Sequence, residues 1–196
     1  MSNLGAFEEP AHATPLSPEE RAGLKLAHIT ERQQLNEVEQ LNIALAIGWT
    51  ASRNHNPVRE PFGRGLHKRM FGDVWTWAGH YRTSNKNLGV EHGMIVPRLY
   101  EVFDQIGYWV DHQTFPPDEI AIRFHHALVV VHPFPNGNGR WSRLMGDVLA
   151  VRLGQSVFSW SGGALADAGA LRASYIAALQ AADIHNFAPL MDFARH

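Results

Sequence analysis

The sequence predicts an all-α protein of six to eight helices, and three observations carry that expectation. Apolar residues recur at spacings of three and four in each long segment between Thr30 and Leu153, which is the period of a helix face. Prolines fall where helices should begin or stop, at Pro18, Pro57, Pro97, Pro117 and Pro133. A β-branched pair occurs at Ile95-Val96, at the end of a polar, glycine-bearing stretch; one small β-hairpin is the most β-structure expected.

In order, residues 1–16 have no periodicity and read as a flexible arm. Ser17-Pro18-Glu19-Glu20 starts a helix: a side-chain cap, a proline at the first position and two acids at the positive dipole end. From Thr30 to Thr50, Leu35, Val38, Leu41, Leu45 and Trp49 make one apolar stripe, which Asn54-His55-Asn56-Pro57 breaks. Phe62–Phe71 is the next helix, with Leu66, Met70 and Phe71 inward. An aromatic turn follows at Trp75–Arg82, then an exposed hairpin or flap over Thr83–Pro97. Pro97–His112 places Leu99, Val102, Phe103, Ile106 and Val110 on one face. The helix opened by Pro116-Pro117-Asp118-Glu119 ends in an apolar run from Ala127 to Val131, expected to be buried on all sides, and Pro133 stops it. A helix from about Asn138 to Leu153 with Gly154 as its cap, a loop over Gln155–Ala164, a helix over Asp167–Ala182 and a short one over Phe187–Ala194 complete the set.

Composition narrows the function. The chain has 196 residues, 45% hydrophobic and 18% charged, with a formal net charge of −2. That describes a globular protein without the basic excess of a nucleic-acid binder, so no direct nucleic-acid contact is expected. There is no cysteine, which removes thiolate nucleophiles and Cys-based zinc sites. Residues 1–18 do not read as a signal peptide, and no apolar run approaches a membrane span, so the expectation is a cytoplasmic protein with no membrane partner. No P-loop occurs, and His125-His126 reads as helix packing rather than a metal site.

The chemistry concentrates in His132-Pro133-Phe134-Pro135-Asn136-Gly137-Asn138-Gly139-Arg140, with Arg143 three residues on. A loop entering a helix exposes free backbone N–H groups at the positive dipole end, an anion site. Gly137 and Gly139 allow close backbone approach to a phosphate. Arg140 and Arg143 are expected on one side, able to fork around phosphate oxygens. His132, at the end of a buried helix, is suited to accept a proton from an attacking hydroxyl.

This segment resembles the signature of the Fic (Fido) family, His-x-Phe-x-(Asp/Glu)-Gly-Asn-Gly-Arg-x-x-Arg, at His132, Phe134, Gly137, Asn138, Gly139, Arg140 and Arg143. Trp77-Ala78-Gly79-x-Tyr81-Arg82 resembles the run before that family's flap. The stretch around Leu35-Asn36-Glu37-x-Glu39-Gln40 is similar to the subgroup called mobile mystery protein B. The resemblance implies the Fic (Fido) fold, with residues 58–196 as that domain and residues 17–57 as an N-terminal helical element. It also implies transfer of AMP from ATP to a Ser, Thr or Tyr hydroxyl of a target protein, with His132 as base. Gly137, Asn138 and Gly139 would form the anion hole, Arg140 would meet the β-phosphate and Arg143 the γ-phosphate, with Phe134 in the nucleotide-binding set. The subgroup implies a helix-turn-helix partner protein and a toxin–antitoxin setting.

Asn136 stands where the family has the acid that holds Mg²⁺. An amide oxygen brings no charge to a metal that prefers carboxylates and phosphates. Three readings stay open: adenylyl transfer with weaker Mg²⁺ binding, a Doc-like kinase transferring the γ-phosphate, and a nucleotide-binding regulatory module with little turnover. Many Fic proteins carry an inhibitory helix whose Glu pairs with the motif's second arginine. Here Gln34 stands at the matching distance from Thr30, and no glutamate follows Glu119, so Glu37 and Glu39 are the nearest candidates to reach Arg143. In the flap, Asn87, Leu88, Gly89 and Val90 are the expected target-docking residues, presenting a sheet edge.

Overall fold

The computed structural model describes residues 14–52, 55–162 and 168–196, and these contain eight α-helices. Most of the expected arm (residues 1–13), Asn54 of the expected break, and residues 163–167 lie outside the described residues.

Helix α1 (Pro18–Arg21) forms as its sequence dictates: Ser17 Oγ accepts the Glu20 N–H at 3.2 Å, and the Glu20 carboxylate accepts the Ser17 N–H at 2.7 Å. This reciprocal pair satisfies two amides that a helix start leaves unpaired. Helices α3 (Glu60–Phe71), α4 (Ile95–His112), α5 (Pro117–Val131) and α6 (Asn138–Arg152) bury the faces their periodicity marks, among them Leu66, Met70, Phe103, Ile106, Phe124, Leu128, Met145 and Leu149. α5 and α6 form the central hairpin, joined by the motif loop, with α4 against α5 and α3 against α6. Helices α7 (Ala168–Asp183) and α8 (Ala188–Arg195) pack on each other, and α8 returns onto α5.

Three expectations are corrected. Helix α2 (Arg32–Ala51) does not bury the stripe through Leu41 and Leu45, which are 62% and 65% exposed. Its inward residues are Leu35, Glu39, Asn42 and Ala46, another face of the same period. The rotation follows from Glu39, whose carboxylate finds two partners: the buried Trp75 indole N–H at 2.7 Å and the half-buried Arg140 at 2.6 Å. Turning Leu41 and Leu45 inward would strip that charge of both. Second, Val130 is 44% exposed, so the last turn of α5 is not covered on all sides.

Third, the flap is not a hairpin. Among the described residues the sole β-pairing is an isolated bridge between Leu24 and Trp75. Ile95 and Val96 lie in the first turn of α4, after one 3-10 turn at His92–Met94. The buried Arg82 side chain takes the carbonyls of Ser84 and Val90 that a hairpin would pair across its strands. Gly89 sits at φ +94°, outside extended geometry.

Helix α2 supplies a direct check. Leu35→Ala should cost about 2–5 kcal/mol, the range for a buried leucine, whereas Leu45→Ala should stay within about 0.5 kcal/mol, as exposed substitutions do. Urea unfolding of the two variants measures the difference, and equal losses would contradict the face assigned to α2.

Candidate functional site: the α5–α6 turn

The site is built around the turn from His132 to Gly137. α5 ends because His132 adopts left-handed geometry, φ 52° and ψ 58°, with its N–H still bonded to Leu128 O at 3.1 Å. A non-glycine residue there is held by its surroundings. Arg82 does much of the holding: its Nε donates to His132 O at 2.8 Å and its backbone N–H donates to Pro133 O at 2.9 Å.

Two side chains close the loop behind it. The Asn138 carboxamide accepts the Phe134 N–H at 2.9 Å and donates to Phe134 O at 2.8 Å. His67, fully buried on α3, accepts the Gly79 N–H on Nδ1 at 3.0 Å, which leaves Nε2 protonated to donate to Asn136 O at 3.1 Å. Phe134 is inaccessible to solvent, stacked on His67 with ring centroids 3.7 Å apart and edge-on to Trp141 at 4.9 Å.

Gly137 caps α6 at φ +79°, and a Cβ there would lie 2.6 Å from the Phe71 ring. Only glycine meets both demands without strain. No side chain caps this helix, and its first internal bond is Trp141 N–H to Gly137 O. The amides of Asn138, Gly139 and Arg140 therefore form the unpaired first turn. Gly139 faces open space, with nothing within 4 Å of a Cβ built on it. The turn is thus an anion cradle with backbone donors and an unobstructed side.

The arginines around it are engaged by different neighbours. Arg140 pairs with Glu39, which is 4% exposed, and lies over the Phe71 ring at 4.9 Å. Arg143 donates its Nε to Gly139 O at 3.3 Å and lies over the Tyr175 ring of α7 at 5.5 Å. Burial lowers the Arg143 pKa, with Tyr175 opposing and Arg140 adding to the shift.

His132 Nε2 lies 2.9 Å from Thr14 Oγ1, with the two residues 9% and 6% exposed. Burial lowers its pKa from the usual 6.5 to about 4, against the pull of the Val129 carbonyl, and Arg82 and Lys86 add to the lowering. The imidazole is therefore neutral at pH 7, the form that accepts a proton.

Residues 59–150 match the family model described as the Fic/DOC family. This segment is a Fic/DOC family domain. The chain is 30% identical over 111 residues to protein adenylyltransferase fic-1 of Caenorhabditis elegans, an alignment covering 53% of this chain and 21% of that protein. The chain thus spans about a fifth of the length of such curated relatives, 21% in that case. Among solved structures, the N-terminal FIC domain of Bep8 from Bartonella sp. 1-1C superposes with a TM-score of 0.69 at 16% identity, covering 97% of this chain and 94% of that one. BepC from Bartonella tribocorum, solved with bound AMPPNP, gives 0.66 at 19% identity, covering 91% and 97%. At such identities these two establish the fold, with the helical order around the motif.

Within this Fic/DOC domain the expected site residues separate into groups. His132 ends α5, and the Asn138–Arg140 amides with the open side of Gly139 begin α6. Phe134 and the Asn138 side chain are buried and fix the turn. Arg140 and Arg143 do not fork on one side, because Glu39 draws one toward α2 and Tyr175 the other toward α7. Glu39 meets Arg140 rather than Arg143, and Glu37 is an exposed residue bonded to Gln33. Asn87, Leu88 and Gly89 are exposed on the flap, while the Val90 N–H reaches Val131 O at 3.4 Å, next to His132.

His125 and His126 are packing residues, as expected: His125 is buried against Tyr175, and His126 meets Asp183 at 2.8 Å. Sequence reading missed Thr14, His67 and Lys86 at the site. None lies in a motif with a fixed spacing.

Three histidines make the fold acid-sensitive. Burial lowers His67 and His125 from 6.5 to about 3, and His132 to about 4. Unfolding restores the ordinary pKa, so the unfolded chain binds these protons first and stability is lost as pH falls below about 6.5. Asp147 runs the other way: burial raises it from 3.8 to about 6, so its contribution is present at low pH and fades as pH rises through about 6. Three groups against one give a net fall in Tm from pH 7 to pH 5. Calorimetry across that range reads it, and a flat Tm would remove the claim that these histidines stay neutral.

Proposed function

We propose that this protein transfers AMP from ATP to a hydroxyl side chain of a protein target, with His132 as base and the Asn136–Arg143 turn as phosphate cradle. One observation carries the reading: a single residue, Thr14, touches both halves of the site. Its hydroxyl lies on His132 Nε2 at 2.9 Å, and its carbonyl accepts from Asn136 Nδ2, at the start of the cradle, at 3.5 Å. A hydroxyl on the base is therefore within one residue's span of the amides that would hold the phosphates. The adenylyltransferase relatives and the AMPPNP-bound BepC support the same reading.

The chemistry follows from these positions. The hydroxyl gives its proton to His132 Nε2 while its oxygen attacks the α-phosphorus, and pyrophosphate leaves. The first-turn amides of α6 face the charge that builds on the phosphate oxygens. Arg140 and Arg143 meet the outer phosphates once they exchange their present partners for phosphate oxygens, which accept forked guanidinium bonds. In the flap, Gly89 and Val90 lie beside the base and Asn87 and Leu88 are exposed, where a target segment would pass. On this reading residues 58–196 are the catalytic domain and residues 17–57 a regulatory element.

Asn136 is the residue that would face Mg²⁺, through an amide oxygen that brings no charge. Asn136 Oδ1 already accepts the Gly137 N–H at 2.6 Å, and among the described residues no three His, Cys, Asp or Glu side chains cluster to hold an ion. Mg²⁺ would arrive as the ATP complex, its ligands phosphate oxygens and water.

Incubation with a lysate and ATP labelled on the α- or the γ-phosphate tests the reaction. Transfer of α-label alone is expected, and His132→Ala should reduce it by about 10²–10⁴-fold, the usual worth of a general base. Transfer of γ-label alone would make the protein a kinase, and transfer of neither would make it a binding module.

Glu39 bears on the same assay. Its carboxylate holds the cation that the reading assigns to a phosphate. Glu39→Gln keeps an acceptor for the Trp75 indole but releases Arg140, so α-label transfer should rise about tenfold, equivalent to ~1.4 kcal/mol. Unchanged transfer would show that the pair does not restrain the site.

A further inference from the structure

We propose that Thr14 is an acceptor of AMP in cis, the segment Thr14–Leu16 lying across the site as a tethered substrate. The inference rests on the adenylyl-transfer reading and deepens it by naming an acceptor.

The placement is built rather than incidental. Thr14 is 6% exposed although it lies far from His132 in sequence, and its hydroxyl meets His132 Nε2, the Nδ1 of that ring being buried. The Asn136 side-chain amide donates to its carbonyl. The flap holds the next residue: Lys86 Nζ donates to Pro15 O at 2.9 Å and pairs with the Glu20 carboxylate. Leu16 is buried in the core, with its carbonyl bonded by Arg21 Nε at 3.1 Å. The Ser17–Glu20 capping box then fixes where the segment enters α1. A short stretch is thus gripped by base, motif and flap, the three parts a target segment would have to meet, and the residue presented to the base is a threonine.

The step balances with ATP as the one co-reactant. In the tautomer with the proton on Nδ1, the Thr14 hydroxyl donates to Nε2. A bond forms between Thr14 Oγ1 and the α-phosphorus, and the bond from that phosphorus to the oxygen bridging to the β-phosphate breaks. Pyrophosphate takes the electron pair, and the hydroxyl proton remains on His132. The product is a phosphodiester on a side chain that fitted only as a hydroxyl. The modified segment no longer fits over His132, and the site opens.

The experiment uses the full chain with Mg²⁺ and α-labelled ATP, alone and with a lysate, in wild type and in a Glu39→Gln background. Peptide mass spectrometry should find AMP on Thr14, formed at a fractional rate independent of protein concentration. Thr14→Ser should keep the self-label. Thr14→Val, which preserves shape but not the hydroxyl, should abolish the self-label. Label on lysate proteins with Thr14 unmodified would overturn the inference and leave the transferase reading standing. Label on neither, in both backgrounds, would overturn both. A readout without turnover tests the contact itself: in nucleotide-free protein, Thr14→Ala should speed carbethoxylation of His132 by diethylpyrocarbonate several-fold, and equal rates would refute the covering role.

Discussion

The Asn138 carboxamide holds the backbone of Phe134 by both its N–H and its carbonyl, and the geometry of the site descends from that double bond. Closing the turn there puts Phe134 into the core against His67 and Trp141. It leaves His132 at the end of α5 on one side of the turn and the bare first turn of α6 on the other. A ligand-binding role for the Asn138 side chain would open this loop, because each buried backbone group would lose its partner. The side chain shapes the cradle, while the backbone around it supplies the donors.

The second organising theme is the parking of positive charge. The two arginines beside the first turn of α6 each have a protein partner. Here Arg140 is neutralised by Glu39 and Arg143 is buried against the face of Tyr175. The Glu39–Arg140 pair reaches through Trp75 to the aromatic turn after α3, so the state of the cradle is tied to the packing of α2. Arg82 is not parked but structural, its guanidinium bracing the flap and the end of α5 at once.

Much of this was legible in the sequence wherever the determining interactions are local. The Ser17 capping box, the start of α6 at Asn138 and the end of α5 before Pro133 follow from neighbours within four residues. The positions of His132 and of the α6 first-turn amides were legible for the same reason. What escaped depends on distant partners. The inward face of α2 is chosen by Trp75 and Arg140, so the apolar stripe through Leu41 and Leu45 misled. The flap lost its strands to Arg82. The fit of Thr14 to His132 spans 118 positions along the chain and has no local signature.

The grip of Lys86 on Pro15 and Glu20 has a consequence for selectivity. A segment joined to the same chain competes at a fixed effective concentration, about millimolar for a short flexible connection, whatever the protein's abundance. On the proposed reading, a polypeptide target has to displace this built-in occupant. Weak encounters are filtered out, and the threshold is set by the internal ligand, independent of how many such polypeptides surround the protein.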